Sequence, residues 1–218
     1  MEFKLDDAQL NNLVHVYVAQ FPFSVDGQDI VPAARAEEIA SCASPKVREE
    51  KFYAWKLLEK ALWRSLGLRL EKLDLSKTDS GKWECSECCF SLSHSGNIVA
   101  VAVANEPVGV DVERKAEGRF TPQFAHKMLT CSEFHTVERL DEAVRSTALN
   151  VLWTKKEALF KLNGGGAFQP DKVETSNGKF VTKGIECADG QFFITVASES
   201  ADRAQFFAEG GLKLVEAE

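Results

Sequence analysis

The stretch Pro107-Val108-Gly109-Val110-Asp111-Val112-Glu113 constrains this chain more than any other. Val stands at every second position, which is the period of a β-strand. Asp111 and Glu113 therefore share one face, and Val108, Val110 and Val112 share the other. Two carboxylates side by side on an apolar strand repel each other, and a cation or a donor between them relieves the cost. Two readings follow. Either the strand ends with its acids in water, or the pair holds a hard ion. Mg²⁺ or Mn²⁺ suits oxygen-only ligands, and Mg²⁺ commonly takes one or two carboxylates with substrate phosphate.

Around this strand the chain reads as α+β. Leu13 to Ala19 alternates and is rich in Val, so it predicts a strand. Pro22 and Gly27 mark a loop, and Pro32 to Ala40 predicts a short helix. Ser44-Pro45 opens a long helix that stops at Gly67. Its apolar stripe is Phe52, Trp55, Leu58, Leu62 and Leu66. Lys46, Arg48, Lys51, Lys56, Lys60 and Arg64 read as a solvated face. Leu70 to Trp83 is polar and reads as a loop with a turn at Asp79-Ser80-Gly81-Lys82. Cys89 to Ser93 predicts a strand, His94-Ser95-Gly96 a tight turn, and Ile98 to Ala104 a strand buried on both faces. Thr121-Pro122 and Thr130-Cys131 each start a short helix. Asp141 opens a second long helix that ends at Asn163-Gly164-Gly165-Gly166. From Val173 onward, short alternating runs predict an antiparallel sheet. Each half thus holds strands and one long helix, and the join falls near Ala104 to Pro107. The expected organisation is two similar α/β subdomains, residues 1–104 and 105–218, in a pseudo-dimeric arrangement.

Net charge is −7 over 218 residues, which argues against a nucleic-acid-binding surface. No apolar run is long enough to span a bilayer. Met1 to Asp7 lacks a signal-peptide pattern, so a cytoplasmic protein is expected. Its six cysteines should then be thiols. Cys85, Cys88 and Cys89 form a C-x-x-C-C cluster without the second spaced pair that a structural zinc site usually has. It reads as a partly buried thiol cluster, with zinc the alternative.

On the second long helix, Trp153, Glu157 and Lys161 recur at i, i+4 and so line one face. The pair Glu157–Lys161 is either an ordinary exposed ion pair, or a third carboxylate for a metal with a lysine for phosphate.

Order and spacing choose between these. G-V-D-V-E at 109–113, then W-T-K-K-E-A-L-F-K at 153–161 and a Gly-rich stop, resembles the 4′-phosphopantetheinyl transferase superfamily. S-L-S-H-S-G at 91–96 and the Gly81-Lys82 turn agree. Length and motif order resemble the pseudo-dimeric branch that activates surfactin synthetase, not the shorter trimeric holo-acyl-carrier-protein synthase branch. The resemblance implies transfer of the 4′-phosphopantetheine arm of coenzyme A to a serine of an acyl or peptidyl carrier protein, releasing adenosine 3′,5′-bisphosphate. It implies that Asp111, Glu113 and Glu157 hold Mg²⁺, or Mn²⁺, on the coenzyme A pyrophosphate. Glu157 would also take the proton from the carrier serine, directly or through water, and Lys161 would neutralise the pyrophosphate. Ser93 and His94 match the family's phosphate-contacting turn, and Lys82 matches the lysine beside the nucleotide. Lys56 aligns where the family's first long helix offers an arginine to the 3′-phosphate. The active site is expected in the cleft between the halves of a monomer. The carrier is expected to dock around Phe120 to Arg139, with Lys127 and Met128.

The chain departs from the family at three points: Lys56 stands for the arginine, Trp83 follows the Gly-Lys turn in place of proline, and no lysine separates the glycines of the helix stop. Two rival functions share the acids. One is a different metal-dependent enzyme cleaving pyrophosphates, and the other is a coenzyme-A- or carrier-binding module without catalysis.

Overall fold

The computed structural model describes residues 13–23, 31–116, 121–164 and 167–217. In chain order its first half runs β1 (Val14–Gln20), α1 (Ala33–Ser41), α2 (Pro45–Leu66), β2 (Ser76–Lys77), β3 (Trp83–Glu84), β4 (Cys89–Ser95) and β5 (Ile98–Ala104). The second half runs β6 (Gly109–Arg114), α3 (Pro122–Met128), α4 (Cys131–Glu138), α5 (Glu142–Asn163), β7 (Phe180–Cys187), β8 (Gly190–Ala197), β9 (Gln205–Glu209) and β10 (Lys213–Glu216). The readings at Met1 to Asp7, Gly27, Phe120 and Gly165-Gly166 lie outside the described residues.

The protein has the mixed α+β fold that the sequence predicts. Local chemistry sets both long helices. Ser44 accepts the Val47 amide at the start of α2, and Gly67 closes that helix with φ of 66°. Gly164 closes α5 in the same left-handed conformation, with φ of 76°. Asp141 occupies the N-cap position of α5 without a side-chain hydrogen bond to the helix.

Two four-stranded sheets, β4-β5-β1-β9 and β10-β7-β8-β6, stack between these helices. Tyr17, Ala19, Val99, Val101 and Val103 face α2, where Trp55, Leu58 and Leu62 are fully buried. The alternate residues Val14, Val16, Val18, Ala100 and Ala102 face the second sheet and meet Val110, Val112, Phe192, Ile194 and Val196. α5 covers the outer face of the second sheet. Period-2 patterning thus buries both faces of each central strand, which is why Ile98 to Ala104 is apolar throughout.

Three expectations are corrected. The run 205–209 belongs to the first sheet, where β9 pairs in parallel with β1. In the second sheet β8 is flanked by β6 and β7, and the outer edge of β7 is taken by β10. The free edge of β1 accepts β9, with Phe207 stacked on Tyr17 at 4.8 Å and Glu209 paired to Lys60 and Arg64 of α2. The predicted loop 70–83 contains a helical turn at Leu70–Lys72 and a hairpin of β2 with β3. The turn expected at His94-Ser95-Gly96 is strand through Ser95, and the chain reverses at Gly96, with φ of 63°.

Between α4 and α5 lies a buried ion pair that the sequence did not signal. Lys156 is fully buried and contacts Glu133 Oε2 at 2.6 Å. It also donates to the carbonyls of Pro170, at 2.9 Å, and Val173. Glu133 accepts from Thr130 and Thr175, and these donors with Lys156 hold its carboxyl below the usual range against the opposing effect of burial. Lys156→Met should cost about 3 kcal/mol, because it strands a buried carboxylate. Urea unfolding at neutral pH measures it.

Candidate active site

β6, which carries Asp111 and Glu113, lies at the seam between the halves. β6 is an edge strand of the second sheet, so one row of its amides lacks a strand partner. Serines of β4 supply the acceptors. Val110 N–H donates to Ser91 Oγ (3.0 Å), Val112 N–H to Ser93 Oγ (3.2 Å) and Arg114 N–H to Ser95 Oγ (3.1 Å). The S-x-S-x-S spacing carries this signal, since alternate residues of a strand share a face. The same hydroxyls steer the acids: Ser93 donates to Asp111 Oδ1 at 2.8 Å and Ser95 to Glu113 Oε2 at 3.0 Å.

α5 runs antiparallel to β6 and lays its Trp153–Glu157–Lys161 line over the two acids. Lys161 Nζ lies 2.7 Å from Asp111 Oδ1 and 3.0 Å from Ser93 Oγ. At the other end, Trp153 Nε1 donates to Glu113 Oε1 at 3.4 Å. Close approach of helix to strand depends on Gly109, where a Cβ would fall 1.9 Å from the Ala158 carbonyl oxygen.

Electrostatics set Glu157 apart. Burial, reinforced by the charges of Asp111 and Glu113, pushes its carboxyl up to about 7, with Lys161 opposing. Asp111 is also pushed up by burial, against the pull of Lys161 and Ser93. Its Oδ2 is buried and has no hydrogen-bond partner. A buried acceptor left unpaired is costly. A hard cation satisfies it, and oxygen donors from Asp111, Glu113 and Glu157 have the right chemistry. Among the described residues no three His, Cys, Asp or Glu side chains stand together as a finished cage. Mg²⁺ seldom needs one, because water and substrate phosphate complete its octahedron.

The other predicted residues separate. Ser93 is buried, and its hydroxyl is already engaged with Val112, Asp111 and Lys161. His94 projects from the opposite face of β4 toward α2, with Nδ1 3.4 Å from Glu50 Oε2. Burial holds its pKa below the usual imidazole value, with Glu50 opposing. Lys82 crosses between the halves. Its Nζ donates to the Lys161 carbonyl at 2.7 Å, and Ser80 donates to the Gly164 carbonyl at 2.7 Å, so this turn caps the C-terminus of α5. Lys56 lies over the rings of Phe52 and Tyr53, at 5.1 and 5.8 Å.

A cavity of about 290 Å³ opens between the halves, walled by Arg35, Lys82, Trp83, Leu92, Phe160 and Lys161. Sequence reasoning missed Arg35. It is buried, sits over Trp55 and pairs with Glu38 at 2.6 Å. It stands on the short helix α1, and no motif in the sequence pointed from there to the cleft.

Fold and site together define a mixed α+β protein with a buried acid–lysine centre on the seam between two sheets, open to a cleft with basic walls. Residues 107–208 match the family model of the 4′-phosphopantetheinyl transferase superfamily. It is 28% identical over 149 residues to the 4′-phosphopantetheinyl transferase Sfp of Bacillus subtilis (strain 168), covering 62% of this chain and 66% of that one. With the 4′-phosphopantetheinyl transferase gsp of Aneurinibacillus migulanus it shares 30% identity over 117 residues, 52% of this chain and 48% of the relative. With AcpT of Salmonella typhimurium (strain LT2) it shares 31% over 88 residues, 40% and 46% of the two chains. The matched stretches thus span about half to two thirds of these relatives.

Proposed function

We propose that this protein transfers 4′-phosphopantetheine from coenzyme A to a serine of an acyl or peptidyl carrier protein, releasing adenosine 3′,5′-bisphosphate. The observation that carries the reading is Glu157, a carboxyl near neutrality, aligned with Lys161 over Asp111 on a seam between two halves. A base tuned close to the working pH is what a serine nucleophile requires.

The carrier hydroxyl loses its proton to Glu157, directly or through water. Its oxygen bonds to the β-phosphorus of coenzyme A as the pyrophosphate bridge breaks, and the nucleotide leaves as the bisphosphate. Lys161 neutralises the diphosphate charge that grows as the bridge opens. Lys161 and Ser93 fix the rotamer of Asp111, and Ser95 and Trp153 fix that of Glu113. Bound Mg²⁺, or Mn²⁺, would be held by Asp111, Glu113 and Glu157 and would supply charge neutralisation on the pyrophosphate oxygens. Lys56, Lys82 and His94 are assigned to the nucleotide end of coenzyme A, with Lys82 acting from its cap on α5. The two subdomains are residues 1–104, joined by β9 (Gln205–Glu209), and the remainder of 105–218, in a cytoplasmic monomer that forms the cleft alone.

Carrier docking is assigned to the exposed side of α3. Lys127 is exposed there, but Met128 is 1% exposed and packs in the α3–α4–α5 core with Leu129, Val137 and Leu149, so it leaves the docking surface. Lys127→Glu should raise the carrier KM by roughly 3- to 10-fold with kcat and the coenzyme A KM unchanged. An unchanged carrier KM rejects this face.

The reading is tested by following adenosine 3′,5′-bisphosphate with coenzyme A and Mg²⁺, with and without an apo carrier. Release only when a carrier is present supports it. Equal release without carrier identifies a pyrophosphate-cleaving enzyme instead.

A further inference from the structure

The thiol cluster lies outside the chemistry above. Cys85 and Cys88 sit in the connection from β3 to β4, with their Sγ atoms 3.7 Å apart, and Cys85 Sγ also lies 3.4 Å from the Cys88 carbonyl. Their surroundings differ. Cys88 is 7% exposed and packs in the core beneath α2, whereas Cys85 is only partly buried at the rim of that core. Cys89, next in sequence, begins β4 and packs against the other core, between the sheets, so its side chain is directed away from the pair.

We propose that Cys85 and Cys88 form a dithiol site that exchanges with small-molecule disulfides and closes reversibly to an intrachain disulfide. The Cys85 thiolate attacks one sulfur of the small disulfide and its S–S bond breaks, so one thiolate leaves and a mixed disulfide remains on Cys85. Cys88 then loses its proton and attacks Cys85 Sγ, expelling the second thiol. Two electrons pass from the protein dithiol to the small disulfide, which leaves as two thiols.

The asymmetry of the pair assigns these roles. Hydrogen bonding from Cys88 and from the amides of the loop brings the Cys85 thiol down to about 7, against the effect of burial. Cys88 is pushed up by its bond to Cys85 and by burial. The less buried member is therefore the attacking thiol and the buried one resolves. Closure needs the sulfurs to approach from 3.7 Å to about 2.05 Å, a side-chain movement within one short loop. That loop joins Trp83 on the cleft wall to the serine strand β4.

The experiment needs no transferase activity, so it stands or falls separately from the function proposed above. The full chain is incubated anaerobically with glutathione disulfide, quenched with N-ethylmaleimide and analysed by mass. Two of the six thiols should escape alkylation. Trypsin should release Trp83–Arg114 about 2 Da light by its covalent formula, with Cys89 alkylated, and dithiothreitol should restore both thiols. Cys88→Ser should trap glutathione on Cys85, a gain of roughly 305 Da from the covalent formula. Full alkylation of Cys85 and Cys88 in the wild-type chain, or a bridge that includes Cys89, overturns the proposal. So does a Cys88→Ser chain that carries no adduct.

Discussion

Glu157→Gln should change two properties in opposite directions. Transfer to a carrier should fall by about 10²- to 10⁴-fold, the usual cost of removing a general base. The divalent-free protein should become more stable at neutral pH. Glu157 has a carboxyl raised from 4.5 to about 7 in the folded chain. A raised pKa favours the folded state fully below 4.5, and that contribution is lost as the pH rises through about 7. Above that range the native chain must hold an ionised carboxylate beside Asp111 and Glu113, and glutamine need not. The gain should be on the order of 2 kcal/mol at pH 8, allowing for partial solvation, and should vanish near pH 4. Thermal unfolding across this range reads it. Added Mg²⁺ should stabilise the wild type more than the variant. A glutamine variant that is both slower and less stable at pH 8 would mean a structural role for Glu157.

Gly109→Ala should damage fold and site together. The new Cβ would stand 1.9 Å from the Ala158 oxygen and 2.5 Å from the Leu162 nitrogen, both backbone atoms of α5. No rotamer relieves a clash with backbone, so α5 must back away from β6. The expected cost is at least about 3 kcal/mol, at the upper end for overpacking. Chains that still fold should lose about 100-fold in transfer, because Lys161 and Glu157 move with the helix relative to Asp111. Gly178→Ala is the contrasting control. Its Cβ would meet only the ring of Phe180, a side chain able to swing aside. Equal stability losses for the two variants would contradict the close-packing account of the seam.

Much of this site was legible in the residues because its parts are local. The Val alternation places Asp111 and Glu113 on one face, and helical spacing aligns Trp153, Glu157 and Lys161. The Ser44-Pro45 start and the glycine stops fixed the lengths of α2 and α5. What escaped depends on non-local pairing. Alternation in Gln205–Glu209 says that it is a strand but not whose edge it joins, and the parallel contact with β1 spans most of the chain. Strands of two residues, as in β2 and β3, are too short to show a period. Nothing near Lys156 in sequence announces Glu133 as its partner. The bonds of Ser91, Ser93 and Ser95 to β6 were not legible, because the unpaired edge that they satisfy exists only once the two sheets meet.

The central claim is best tested by intact-mass spectrometry of an apo carrier protein incubated with this chain, coenzyme A and Mg²⁺, with Glu157→Gln alongside. The account predicts that the carrier gains one phosphopantetheine, roughly 340 Da from its covalent formula, and that the glutamine variant leaves it at the apo mass on the same timescale. Carriers of acyl and peptidyl type that all stay at the apo mass, with the wild-type chain folded and coenzyme A bound, would contradict it.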